Sequence, residues 1–192
     1  MTHQKNVTVI VGDSRKASDR LGYVWDEECR FAFHKLQIAL RKLKEYKFTF
    51  LENHDVLIET LRSPAEKIDL VLNLCDEGYL NNFWLDSNIP AVLEIFGIPY
   101  TGAGPRGFVY CLDKSLMQGI AKDFGIPAPD AVFLDAKDEI GEPSFGFPVI
   151  VKPNFGCGSI GITQASVAHS PDELKASVAR LREEFKDNPL FR

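Results

Sequence analysis

Phe147-Pro-Val-Ile-Val-Lys-Pro-Asn-Phe-Gly-Cys-Gly-Ser-Ile-Gly-Ile-Thr163 is the stretch whose reading decides this chain. The β-branched run Val149 to Val151 ends in Lys152-Pro153, and a loop carrying Gly156, Gly158, Ser159 and Gly161 follows before apolar residues return. That order reads as strand, lysine, glycine loop, strand. Glycines lack a Cβ, so their backbone N–H groups approach an anion closely, and a lysine ending the preceding strand adds a point charge. On spacing alone two readings stay open, a phosphate-cradling loop or a hairpin with an open tip, because a glycine-rich loop by itself is a weak signal.

On the N-terminal side of this stretch, Asp113 to Phe124 has Leu116, Ile120 and Phe124 at helical spacing and stops at Gly125-Ile126-Pro127. Lys114 falls in the first turn, where the helix dipole disfavours a cation by about 0.3–1 kcal/mol. An anionic ligand would remove that conflict; so would pairing with Asp113 or Asp123. Ala131 to Leu134 reads as a strand and Asp135 to Ser144 as a polar connection. On the C-terminal side, Ile162 to Val167 reads as a returning strand. Ser170-Pro171-Asp172-Glu173 is a capping box that opens a helix with Leu174, Val178, Leu181 and Phe185 as its apolar stripe. An Asp187-Asn188-Pro189 break follows. Residues 113–192 therefore form a small α+β unit.

Residues 1–112 follow a different rhythm. Val7 to Val11 is a nearly continuous β-branched run ending in Gly12-Asp13-Ser14, which suits a strand buried on both faces. Asp26 to Tyr46 places Cys29, Phe33, Leu36, Leu40 and Leu43 on one helix face. Lys47 to Leu51 is a second strand, Asp55 to Leu61 a short helix, and Asp69 to Leu74 a third strand. Asn73, Asp76 and Glu77 stand at the carboxyl end of that third strand, where open α/β sheets bind ligands, unless they are turn residues satisfying their own backbone. Tyr79 to Asn88 is irregular, Pro90 to Phe96 a helix stopped by Gly97, and Ile98 to Gly102 a fourth extended segment. Gly102 to Gly107 is a dense turn cluster, and the domain boundary falls near Leu112. Alternating strands and helices predict an α/β, Rossmann-like domain, although neither G-x-x-x-x-G-K-[ST] nor G-x-G-x-x-G follows its first strand.

The 192 residues carry a net charge of -5, with 45% hydrophobic and 26% charged residues. The acidic balance and the lack of a basic cluster argue against nucleic acid as a partner. No apolar run approaches a membrane span, and the polar Met1 to Asn6 shows no signal peptide, so a cytoplasmic protein is expected. Cys29, Cys75, Cys111 and Cys157 form no C-x-x-C pair, and His3, His34, His54 and His169 have no metal-ligand spacing. Reduced thiols and surface or partly buried histidines are the expectation, and Cys157 has no local base to make it a nucleophile.

Five segments together carry a resemblance. Gly97-Ile-Pro-Tyr-Thr-Gly102, Leu112-Asp-Lys114, Gly125-Ile-Pro-Ala-Pro129, Phe147 to Pro153 and Gly158-Ser-Ile-Gly-Ile162 stand in the order and spacing of D-alanine–D-alanine ligases and close relatives in the ATP-grasp superfamily. The similarity is good over about residues 66–186 and architectural over 7–65. It implies a Rossmann-like pre-ATP-grasp domain over 1–112, followed over 113–192 by the small lid subdomain of an ATP-grasp fold whose C-terminal half is absent. It further implies ATP bound by Lys114, Lys152, Gly156, Gly158, Ser159, Ile160 and Gly161, with Ser159 as a candidate for lid closure and Asn73 and Glu77 as candidate substrate contacts. The activity implied is that of a magnesium-dependent, cytoplasmic carboxylate–amine ligase acting on amino acids or dipeptides through an acyl phosphate, in the service of peptidoglycan.

Departures from the family pattern bear on the substrate. Asn73-Leu-Cys-Asp-Glu-Gly78 stands where a His-Gly is usual, no glutamate between Gly12 and Glu28 matches the family's substrate-amine contact, and Gly158-Ser159 replaces a pair of serines. The segment is more like a divergent ligase-like branch. The resemblance puts the Mg2+ ligands, the adenine-contacting strand and a catalytic arginine beyond Arg192, so no catalytic residue is assigned. The expectation is a portion of a longer enzyme, inactive by itself, with homodimerisation implied through residues 1–112; the alternative is an inactive nucleotide-binding or interaction module.

Overall fold

A computed structural model describes residues 4–16, 27–156 and 159–186. Cys157, Gly158, most of the stretch between Gly12 and Glu28, and the Asp187-Asn188-Pro189 break lie outside the described residues. The chain divides into two compact units, Met1–Phe108 and Val109–Arg192.

The first unit is built on a parallel sheet. Strands β1 (Lys5–Ile10), β2 (Tyr46–Leu51) and β3 (Leu70–Asn73) lie in the order β2-β1-β3. Val7 stands opposite Phe48 on one side and Leu70 on the other. Tyr100 adds a single parallel bridge to Val71, fixed by Val71 N–H to Pro99 O at 2.7 Å and Thr101 N–H to Val71 O at 2.9 Å. Because successive strand residues face opposite ways, the central β1 feeds two cores. Val9 and Val11 pack with Cys29, Phe33 and Leu40, all from α1 (Glu27–Leu40). Ile10 packs with Leu57 and Leu61 of α2 (Leu57–Arg62), Val71, and Ile89 and Leu93 of α3 (Asn88–Ile95). Each fully buried Leu or Ile contributes about 2 kcal/mol. The continuous β-branched run of β1 is the consequence of helices on both faces.

The second unit carries α5 (Lys114–Asp123), strands β4 (Val149–Ile150) and β5 (Val167–Ala168), and α6 (Pro171–Glu184); α4 (Pro105–Leu112) straddles the division. β4 and β5 pair antiparallel, Val149 opposite Ala168 and Ile150 opposite Val167. α6 begins as its sequence demands, with Ser170 Oγ accepting the Glu173 N–H at 3.3 Å, while the Glu173 carboxylate accepts the His169 N–H at 2.8 Å. Ala168, Leu174 and Val178 form the small core with Leu134, Phe147, Val149 and Val151 around them.

Several expectations are corrected. α1 ends at Leu40, not Tyr46, because the backbone tightens to Lys42 N–H to Ala39 O and Leu43 N–H to Leu40 O; Leu43 is left exposed. The glycine cluster before residue 108 holds the start of α4, with Pro105 at the first helical position, where its missing N–H costs nothing. Ala131–Leu134 forms no strand, for no backbone ladder pairs with it and Val132 and Phe133 are exposed. Between Ile162 and Val167 the chain makes a 3-10 turn over Gln164–Ser166, and only Val167–Ala168 is strand. α5 buries no residue, and Phe124 after it is 76% exposed. His54, expected on the surface or partly buried, is fully buried. Cys29, Cys75 and Cys111 are in no disulfide, and no described helix is long and apolar enough to cross a membrane.

Candidate functional site

The site in the second unit grows from the cap of α5. Asp113 Oδ1 accepts the Leu116 N–H at 3.0 Å, the Ser115 hydroxyl at 2.7 Å and the Asn154 carboxamide N–H at 2.8 Å. Burial acts to raise its pKa, but these donors outweigh it and hold the carboxyl below its ordinary value. Asn154 returns the contact, its Oδ1 accepting the Ser115 N–H at 2.8 Å and its backbone carbonyl accepting the Lys114 N–H at 3.2 Å. The Lys114 ammonium donates to the same carbonyl at 3.1 Å and to the Gly156 carbonyl at 2.8 Å. These carbonyls offset the poor placement of a cation at a helix N-terminus. Asn154, which sequence reasoning passed over, thus ties the first turn of α5 to the start of the glycine loop. Its position two residues after Lys152 was the available signal.

Lys114, Lys152, Gly156, Ser159 and Ile160 line one cavity of about 220 Å3, with Phe155 and Ile162 among its walls. Two cations and a glycine loop in one small cavity suit a compact polyanion, and the volume is below the roughly 300–1,000 Å3 of sites that enclose drug-sized molecules. Ser159 has a positive φ of 59°, a conformation that costs a non-glycine residue energy and clusters at ligand clamps. Gly161 closes the loop with φ 71°; a Cβ there would lie 2.7 Å from the Phe185 ring and 3.0 Å from Leu181. Gly158 lies outside the described residues. Among the described residues no group of three or more His, Cys, Asp or Glu side chains is placed to hold a metal ion.

Asn73 and Glu77 belong to the first unit and line no part of that cavity. Asn73 Oδ1 accepts the Cys75 N–H at 3.4 Å, and the Asn73 N–H donates to the Thr101 hydroxyl at 3.2 Å, so its carboxamide oxygen serves the local turn. Glu77 is half-buried just beyond the strand end.

The carboxyl edge of the first sheet holds a polar cluster that sequence reasoning missed. Asp13 and Asn81 exchange hydrogen bonds, Asp13 N–H to Asn81 Oδ1 at 2.7 Å and Asn81 Nδ2 to Asp13 O at 2.8 Å; Nδ2 also donates to Lys16 O at 2.8 Å. The Asp13 carboxylate accepts Arg15 Nε at 2.9 Å, Arg15 Nη2 at 2.7 Å and the His54 N–H at 3.1 Å. The Arg15 guanidinium holds the Asp13 carboxyl far below the usual carboxylate range, against the opposing effect of burial. His54 Nδ1 accepts the Leu80 N–H at 2.8 Å, so Nε2, 2.8 Å from Val11 O, carries the proton in a neutral ring. Burial lowers its pKa in agreement. The turn reaching Asn81 needs Gly78 (φ 78°) and places both Leu80 and Asn81 at positive φ. Only an asparagine three residues past an Asp-Glu-Gly hinted at this turn.

Comparison with known proteins agrees with the α/β fold. No family model matches the chain. An uncharacterised protein of Sinorhizobium fredii is 30% identical over 126 residues, 66% of this chain and 36% of that protein. The D-alanine–D-alanine ligase of Nitratidesulfovibrio vulgaris is 35% identical over 120 residues, 59% of this chain and 39% of the ligase. The crystal structure of the Bacillus anthracis D-alanine–D-alanine ligase superposes with a TM-score of 0.65 at 25% identity, covering 93% of this chain and 53% of that one; its complex with ATP gives 0.63 at 24%. The matched stretch spans under two fifths of the length of these curated relatives. Motif order, an α/β fold with a parallel sheet and these likenesses lead to one conclusion: the chain is a relative of the D-alanine–D-alanine ligases.

Proposed function

We propose that the cavity between Lys114 and Lys152 binds the phosphates of ATP for a carboxylate–amine ligase of the D-alanine–D-alanine ligase type. The observation that carries this reading is the convergence of two lysines 38 residues apart in sequence, Lys114 and Lys152, with Gly156 and Ser159 on one cavity of about 220 Å3. In such a reaction ATP supplies a γ-phosphate to a carboxylate, and an amine then displaces phosphate from the acyl phosphate to leave an amide. The part this chain takes is electrostatic. The Lys114 and Lys152 ammonium groups neutralise phosphate charge, and the N–H groups around Gly156, Ser159, Ile160 and Gly161 supply donors whose positions are fixed before the ligand arrives. No protein nucleophile is required.

In this reading residues 1–112 are the pre-ATP-grasp domain, residues 113–192 are the lid subdomain, and Asn73 and Glu77 lie toward the amino-acid substrate. The chain matches a little over a third of the length of these curated relatives. Dimerisation through the first domain and a cytoplasmic place of action belong to the same proposal. The test is ADP release by the protein that carries this chain, measured against a panel of D- and L-amino acids and dipeptides. Stimulation by an amino-acid pair, abolished by Lys152→Ala, is the expected result. ATP binding with no stimulated turnover by any pair would replace the ligase with a nucleotide-binding module.

A further inference from the structure

The glycine loop is held at its start by Asn154 and Lys114; its far end is held by α6. Arg180 Nη2 donates to the Gly161 carbonyl at 3.0 Å and to Ser166 Oγ at 3.0 Å, while Nη1 pairs with Glu184 at 2.9 Å. Ser166 is fully buried and is a junction. Its hydroxyl accepts the Thr163 N–H at 3.0 Å, and its backbone carbonyl accepts the Val151 N–H at 2.8 Å, one residue before Lys152. Ser177, one turn earlier on α6, donates to the Ala165 carbonyl at 2.5 Å. Leu181 and Phe185 wall Gly161 on the same side. One guanidinium therefore touches the last glycine of the loop and, through Ser166, the strand end that carries Lys152. The Arg180 Nε is buried with no hydrogen-bond partner, so the geometry of the head is set by its two Nη atoms, at the cost of that donor.

We infer that Arg180 is a positioning residue for the phosphate site: it fixes the Gly161 end of the loop and the register of Lys152 against it. The inference rests on the proposed phosphate-binding reading, and it reaches a residue 19 positions past Gly161 that lines no part of the cavity. Lysine at 180 keeps the charge but offers a point donor in place of a planar fork, so it replaces the clamp only in part.

The test uses the chain itself with inorganic tripolyphosphate as the probe, followed by amide chemical shifts, which read millimolar affinities, together with amide hydrogen exchange. Arg180→Met is expected to speed exchange at Ile162 and Thr163 by roughly tenfold without altering exchange in β1. It is also expected to weaken tripolyphosphate binding by about tenfold, because the loop and Lys152 lose their preorganised positions. Arg180→Lys should recover part of both. Glu184→Gln, which removes the neighbouring ion pair and leaves the clamp, should match the wild type. The inference is overturned by unchanged exchange at Ile162 and Thr163 in Arg180→Met, by tripolyphosphate affinity that Arg180→Met leaves unaltered, or by Glu184→Gln reproducing the whole effect. Failure of the wild-type chain to bind tripolyphosphate overturns the phosphate-site reading itself, and the inference with it.

Discussion

The carboxyl edge of the first sheet and the glycine loop of the second unit are both crowded with charge, yet they are opposite kinds of place. At the sheet edge, Asp13 and His54 are fully excluded from solvent, and the hydrogen bonds there close the group on itself: Asp13 with Arg15, Asn81 and His54, and His54 with Val11 and Leu80. At the loop, Lys152 is exposed and Lys114 leans on backbone carbonyls beside a cavity. A buried group that satisfies itself specifies structure, while cations arranged around empty space are arranged for something else. Charge density alone does not tell the two apart; the partners of each group do.

Four perturbations separate them, beginning with the largest expected effect. Gly78→Ala puts a Cβ 2.2 Å from the Asn82 carbonyl oxygen at φ 78°, and urea unfolding of the first unit should lose about 4 kcal/mol or fail to show a folded baseline. Asn81→Ala strands the Asp13 N–H and the Asp13 and Lys16 carbonyls, a loss of about 3 kcal/mol confined to the same transition. If tripolyphosphate affinity fell with it, the contrast between the two regions would collapse. Lys152→Ala should do the reverse, changing unfolding by only about 0.5 kcal/mol while weakening tripolyphosphate binding by roughly tenfold in a shift titration.

The smallest effect is the pH dependence carried by His54. Its folded pKa lies below the ordinary value of about 6.5. Between that value and the lower folded one, the unfolded chain binds a proton that the folded chain does not, so stability falls as pH drops through the window. Urea midpoints at pH 7.5 and 5.5 should show this decline, and His54→Gln should flatten it. A rising midpoint on acidification would show that the ring is charged in the fold.

What was legible in the sequence was what local pattern encodes. The β-branched run of β1, the capping box at Ser170 and the apolar stripe of α6 each depend on neighbours within a few residues, and each stands where the sequence put it. The loop lysines were legible for a different reason: Lys114 and Lys152 belong to motifs whose order carried the resemblance. What failed depended on distant partners. Ala131–Leu134 has strand composition but no pairing strand, and Gly102–Gly107 looked like a turn because glycine content outweighed the signal of Pro105. His54 looked like a surface or partly buried histidine because its partners Val11, Asp13 and Leu80 are 43, 41 and 26 positions away. Arg180 was invisible for the same reason, its acceptors being a backbone carbonyl and a serine on another element.

The neutral ring of His54 has one more consequence. A parallel sheet has no tight turn to tell a strand how far to advance, and a slip of one residue would turn every side chain of β1 to the wrong core. His54 holds the chain just past β1 at two marks, the Val11 carbonyl by its ring Nε2 and the Asp13 carboxylate by its backbone N–H, with Val9 and Ile10 facing their own helices. It works as a gauge, reading the alignment of the central strand at the end where a misalignment would be greatest.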